Sequence, residues 1–135
     1  MSTNNLGVTL EQSVKYRGRW GQWAWVFHRL SGLGVLLFLT IHIADTSMVY
    51  FYPPLYEEAL KLYKSVPFGV GELLLAAALI YHGLNGIRVA LVDFEPNLTR
   101  YQRQMWVAVW VLFIIGYGVT LAIMGPELLH VAGWL

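Results

Sequence analysis

Cysteine is absent from the 135 residues, which excludes disulfides, thiolate metal sites and any all-cysteine iron–sulfur cluster held by this chain alone. The four histidines are then the remaining candidates for metal ligands. Charge is scarce as well, with 13% of residues Asp, Glu, Lys or Arg where a soluble domain averages about 25%. A formal net charge of +1 provides no basic excess, which argues against a nucleic-acid partner. The stretch from Met1 to Gly18 lacks an apolar core followed by a small-residue cleavage site, so it is expected to persist as a polar tail. No internal repeat and no low-complexity segment is present.

What fills the chain instead is apolar surface, 57% of residues being hydrophobic. Three runs dominate, at about 22–51, 68–94 and 104–124, and the last carries no charge between Met105 and Met124. Each is long enough for a helix to cross a hydrocarbon layer about 30 Å thick. The fold expected is an all-α membrane protein of three transmembrane helices, flanked by an N-terminal tail over 1–21 and a C-terminal tail over 125–135. Lipid is the expected surrounding of most side chains. Three spans leave no room within these residues for a separate soluble domain, so soluble catalysis would need another polypeptide.

Lys15, Arg17 and Arg19 precede the first span, and Arg88, Arg100 and Arg103 surround the second connection. On the other side Lys61 and Lys64 are offset by Glu57 and Glu58, and Glu127 follows the third run. The positive-inside bias therefore favours a cytoplasmic N-terminus and an outer C-terminus. Trp20, Trp23 and Trp25 at one end of the first run and Tyr50, Phe51 and Tyr52 at the other suit interfacial anchors.

Pro53 and Pro54 end the first span. In the connection that follows, Tyr56, Ala59, Leu60 and Tyr63 share a helical face opposite Glu57, Glu58, Lys61 and Lys64, which predicts a short interfacial helix. Thr99-Arg100-Tyr101-Gln102 fits a capping box opening the third span, and Gly116 with Thr120 forms a candidate small-residue packing face. Asn97-Leu98-Thr99 matches a glycosylation acceptor, but its expected cytoplasmic location makes that reading poor.

Polar side chains inside apolar runs are costly and need a reason. They are His28, Arg29, Ser31, His42 and Asp45 in the first run, and His82, Arg88 and Asp93 in the second. At 1.5 Å per residue His28 lies roughly 9 Å from the cytoplasmic edge, His82 roughly 16 Å and His42 roughly 30 Å. His28, Arg29 and Arg88 thus share a cytoplasmic layer. Gly86 follows His82 by one turn on the same face, where a missing side chain would let a flat macrocycle approach the backbone. That pattern suits a haem beside the helix, with His82 as an axial nitrogen and His28 and the arginines near the propionates. A lone membrane histidine can equally hydrogen-bond a neighbouring helix.

His28-Arg29-Leu30-Ser31-Gly32 followed by His82-xxx-Gly86-Ile87-Arg88-xxxx-Asp93 resembles the cytochrome b subunit of succinate dehydrogenase, over a three-span plan from about Trp20 to Met124. The resemblance implies that His82 is an axial ligand of haem b and that His28 and Arg88 meet its propionates. It also implies a second membrane anchor completing a larger helical bundle, an iron–sulfur subunit carrying the clusters and a flavoprotein carrying FAD. The chain would then be a redox subunit, not catalytic alone, in a prokaryotic cytoplasmic membrane. Quinone as substrate would sit near the cytoplasmic end, with Arg29, Trp25 and Ser31 around it and Asp93 a possible proton path or a structural ion pair with an arginine.

Two departures matter. Trp25 stands where relatives often carry a serine three residues before the His-Arg pair, and Val89 replaces a usual histidine or aromatic residue, so contacts assigned to those groups are not carried over. His42 lies about 14 Å from the level of His82 by helix rise, whereas two axial nitrogens on one iron are about 4 Å apart, so the two should not share an iron. His42 is thus a second-haem ligand only if two haems are held, with Asp45 one turn on orienting it, or the pair is a buried polar contact. The opposite ligand to His82 is expected from the partner anchor. His130 is assigned no role, and Tyr81, Asn85 and Tyr117 are not distinguished as site or packing residues.

The alternatives are a haem-free structural anchor and a small transport component, the latter disfavoured by the absence of transport repeats. The orientation yields a direct test: alkaline phosphatase fused after Leu135 should be active in intact cells, and fused before Met1 inactive. The reverse pattern would invert the assignment.

Overall fold

The computed structural model describes residues 20–133. The basic residues Lys15, Arg17 and Arg19 of the expected tail lie outside the described residues, as does the side chain of Trp20. Four α-helices follow in order: α1 (Trp20–Phe51), α2 (Pro53–Tyr63), α3 (Val66–Phe94) and α4 (Gln102–Val131), with a 3-10 helix at Pro96–Tyr101 before α4. No strand occurs among the described residues. This outcome follows from the solvent, because a lipid core offers backbone N–H and C=O groups no partner and a helix satisfies all of them internally.

Three stretches are long and apolar enough to cross a membrane: Gly21–Phe51, Val66–Phe94 and Pro96–Val131. At 1.5 Å per residue the 32 residues of α1 reach about 48 Å, beyond the hydrocarbon and into the headgroup layer. Its end is set by Tyr52, whose extended backbone (φ −152°, ψ 76°) precedes Pro53 at the start of α2. Ser65 performs the same break before α3, with Pro67 in the first turn.

Two local expectations differ from what is found. The capping box does not form: Thr99 Oγ1 donates to the Pro96 carbonyl at 2.7 Å, and α4 starts from Tyr101 without a side-chain cap. The Glu95 carboxylate instead accepts from the Asn97 N–H, so the cap belongs to the 3-10 helix. The last helix also runs further than expected, since α4 continues through Pro126 to Val131 and takes His130 into its last turn. Proline there removes one backbone bond to the Ala122 carbonyl without ending the helix, a tolerated loss near a helix terminus.

Helix α3 is the centre, packing against both α1 and α4, which touch each other little. A close-packed knot of aromatic rings joins all three. Phe27 of α1 meets Tyr81 of α3 edge-on at 6.0 Å and Trp110 of α4 at 6.1 Å, while Tyr81 lies 5.6 Å from Trp110 and 6.1 Å from Phe113. Tyr81 is buried, and its hydroxyl donates to the Ala24 carbonyl at 3.4 Å. Gly116 gives close approach as expected, since a Cβ there would lie 3.5 Å from Ile80 Cγ2, and Thr120 bonds back to the Gly116 carbonyl. Elsewhere large apolar side chains remain exposed, Leu33, Leu37 and Ile123 among them, as lipid-facing residues should be.

Helix α2 has the expected faces: Tyr56, Ala59 and Tyr63 are half-buried, and Glu57, Glu58, Lys61 and Lys64 are exposed. Leu60 falls on the exposed side. Tyr63 is bonded to Asp45 of α1, and the carboxylate raises the Tyr63 phenol above the ordinary 10.0 by accepting its proton and opposing a second negative charge. Folding thus favours the protonated phenol, so this contribution is complete below pH 10 and is lost as pH rises through the raised folded value. A tyrosinate titration followed at 295 nm should contain a late-titrating component that Tyr63→Phe removes and Asp45→Asn moves to lower pH. An unchanged titration would disprove the Asp45 contact.

Candidate functional site

Helices α1 and α3 carry the same signature, His-x3-Gly, at His28…Gly32 and His82…Gly86. Running antiparallel, they set each histidine against the other's glycine: a Cβ on Gly86 would lie 3.6 Å from His28 Cε1, and one on Gly32 would lie 2.8 Å from His82 Cε1. The two imidazoles meet between the helices and stack with centroids 4.1 Å apart and planes 5° from parallel. Gly86 thus faces the edge of the His28 ring at ordinary contact distance.

His82 Nδ1 lies 3.1 Å from the His28 carbonyl and 3.3 Å from Ser31 Oγ. A carbonyl only accepts, so Nδ1 carries a proton, and in the neutral imidazole Nε2 then keeps its lone pair. Ser31 is buried and its hydroxyl donates to the same carbonyl at 3.0 Å, leaving its oxygen to accept from Nδ1–H. The donor set thus fits a metal-ligating histidine, whose second nitrogen is normally tied to a carbonyl or carboxylate. At 4.1 Å the stacked rings are in van der Waals contact, so no macrocycle fits between them and His28 cannot be the opposite ligand to His82.

Further along α3, Arg88 Nη1 donates to Asn85 Oδ1 at 3.3 Å, and Asn85 is 1% exposed. Arg88 Nε and His28 Nδ1 are both buried without a hydrogen-bond partner. Buried polar nitrogens of this kind are uncommon. A cation and an imidazole left unsatisfied in one layer are what an anionic group would complete.

Arg29 and Trp25 lie elsewhere on α1, both exposed, with the guanidinium carbon 4.3 Å from the centre of the Trp25 ring. This is a cation–π contact that holds the charge at the helix surface. Ser31 was expected beside them, but two residues turn a helix by about 200°, and its hydroxyl faces His82 instead. Ser31 therefore belongs to the histidine cluster and not to the Arg29 face.

Asp93 is exposed near the end of α3 and makes no ion pair with an arginine among the described residues. His42 is exposed and stacks on Phe38 at 5.3 Å, while its expected partner Asp45 turns to Tyr63. Among the described residues no group of three or more His, Asp or Glu gathers as a metal site. Gly32 and Asn85 were missed as site residues. The repeated His-x3-Gly signature was the available signal for Gly32, whereas nothing local marks Asn85 as the buried tether of Arg88.

The family model for the succinate dehydrogenase/fumarate reductase transmembrane subunit matches residues 10–131. A similar protein is "Succinate dehydrogenase 2 membrane subunit SdhC" of Mycobacterium tuberculosis, 42% identical over 111 residues, covering 80% of this chain and 82% of that one. Another is "Succinate dehydrogenase hydrophobic membrane anchor subunit" of Halobacterium salinarum, 32% identical over 95 residues, covering 66% of this chain and 73% of that one. Three apolar spans, a match over nearly the whole described chain and these relatives agree, and the chain belongs to the succinate dehydrogenase/fumarate reductase transmembrane subunit family.

Proposed function

We propose that this membrane subunit binds one haem b through His82 and forms part of the quinone site of a succinate:quinone oxidoreductase in a prokaryotic cytoplasmic membrane. The observation that carries the proposal is the Nδ1 contact of His82 with the His28 carbonyl, which leaves Nε2 as a lone-pair donor. His28 Nδ1 and Arg88 Nε are suited to the propionates, because both are buried and unpartnered in the layer toward the cytoplasm. The opposite ligand comes from a second anchor, since His28 is excluded by its stacking and His42 is far along the span. When bound, haem b supplies a one-electron couple within the membrane. The FAD and iron–sulfur clusters reside on the flavoprotein and iron–sulfur subunits, where succinate is oxidised.

Arg29 serves the quinone. Its guanidinium is fixed over Trp25 yet open at the surface, so it can bond a quinone oxygen and stabilise negative charge as reduction proceeds. Trp25 contributes by holding Arg29, and Asp93, exposed and without an ion pair among the described residues, is suited to proton delivery. A haem-free anchor is the second reading, favoured by the completeness of the His28–His82 stack as a helix contact in its own right.

His82→Ala should lower the haem-to-flavin ratio of the purified complex while leaving membrane insertion intact. An unchanged ratio sinks the ligand assignment, and a wild-type complex without haem selects the second reading. Arg29→Ala should reduce quinone reduction about 10-fold or more, as loss of a charged transition-state contact does. Succinate oxidation by a soluble acceptor should be preserved. Equal loss of both activities would indicate failed assembly.

A further inference from the structure

Ser31 and Gly32 are neighbours on α1, and both act on one ring of α3. The absent side chain at Gly32 gives His82 its space, because a Cβ there would come within 2.8 Å of Cε1 and 3.2 Å of Nδ1. The His28 ring covers the imidazole in a parallel stack at 4.1 Å. Nδ1 is held by the His28 carbonyl at 3.1 Å and Ser31 Oγ at 3.3 Å. Rotation of the ring would break the Nδ1 contacts and displace it from the His28 stack. A small residue is not needed everywhere along this interface: a Cβ on Gly34 would meet Ala78 Cβ at 4.0 Å, an ordinary contact.

We propose that Ser31 and Gly32 are the positioning residues for His82, Gly32 setting the place and plane of the imidazole and Ser31 helping to keep its proton on Nδ1. This rests on the reading of His82 as a haem ligand. Gly32 acts through volume and Ser31 through a hydrogen bond, so the two substitutions should have different signatures. A weaker acceptor at Nδ1–H makes the imidazole a poorer donor to ferric iron, which raises the potential of the couple.

The test uses the intact complex carrying Gly32→Ala, Ser31→Ala or Gly34→Ala, with haem-to-flavin ratio, ferric electron paramagnetic resonance and haem midpoint potential as readouts. Gly32→Ala should lose haem relative to flavin or, where haem is kept, shift the largest g value as the ligand plane turns. Ser31→Ala should keep haem and move its potential upward, and Gly34→Ala should match wild type in all three. Wild-type behaviour of both Gly32→Ala and Ser31→Ala would overturn the proposal. Equal haem loss in Gly34→Ala and Gly32→Ala would also overturn it, because that result marks general helix packing. If Gly32→Ala fails to assemble, the potential of Ser31→Ala decides alone. A wild-type complex lacking haem overturns the parent reading, and this one with it, before any variant is compared.

Discussion

A reciprocal contact between two histidines and two glycines organises the rest of the site. His28 rests against Gly86 and His82 against Gly32, and the antiparallel pairing of α1 and α3 brings both rings into one stack. Neither contact would survive a large side chain in place of the facing glycine, because helix backbones must approach closely for two imidazoles to fit between them. The orientation of His82, the burial of Ser31 and the position of the unpartnered His28 Nδ1 all follow from this approach. Further along α3, Asn85 and Arg88 extend the same interface with a bonded but incompletely satisfied cation.

Outside this interface and the aromatic knot around Tyr81, the helices present apolar surface in every direction. In water such a surface would drive aggregation, but in lipid it is simply solvated, and burial ceases to be the measure of stability. Cohesion comes instead from close packing and from interhelical bonds such as Tyr81 to the Ala24 carbonyl. The exposed polar groups then stand out, because Arg29, His42 and Asp93 have no described partner that neutralises or hydrogen-bonds their side chains. A family whose relatives are subunits of succinate dehydrogenase provides a reason for polar groups on an outer face: the chain works within a complex.

Much of the fold was legible because membrane spans are written locally. Length, hydropathy and proline placement locate α1, α3 and the interfacial helix without reference to any other part of the chain. The local signals that misled were those in which a short polar pattern competes with another. Thr99 bonds back to Pro96 instead of capping α4, and Pro126 sits inside a helix because only one backbone bond is at stake near its end. Asp45 shows the same limit, since spacing suggested His42 while the fold offered Tyr63 of a different helix.

Sequence alone determined that three helices cross a membrane and that His28, His82 and Arg88 occupy neighbouring levels, since rise per residue converts spacing into depth. It also marked His82 as the residue most in need of a partner, because a polar ring in an apolar run must be satisfied. Only tertiary structure decided which faces meet. Helical phase says that Ser31 and Arg29 point apart, but not which of them turns toward α3, and that choice separates the buried histidine cluster from the exposed Arg29–Trp25 pair. The pairing of His82 with Gly32 was likewise fixed by the register of two antiparallel helices, a relation between segments 50 residues apart that no local pattern encodes.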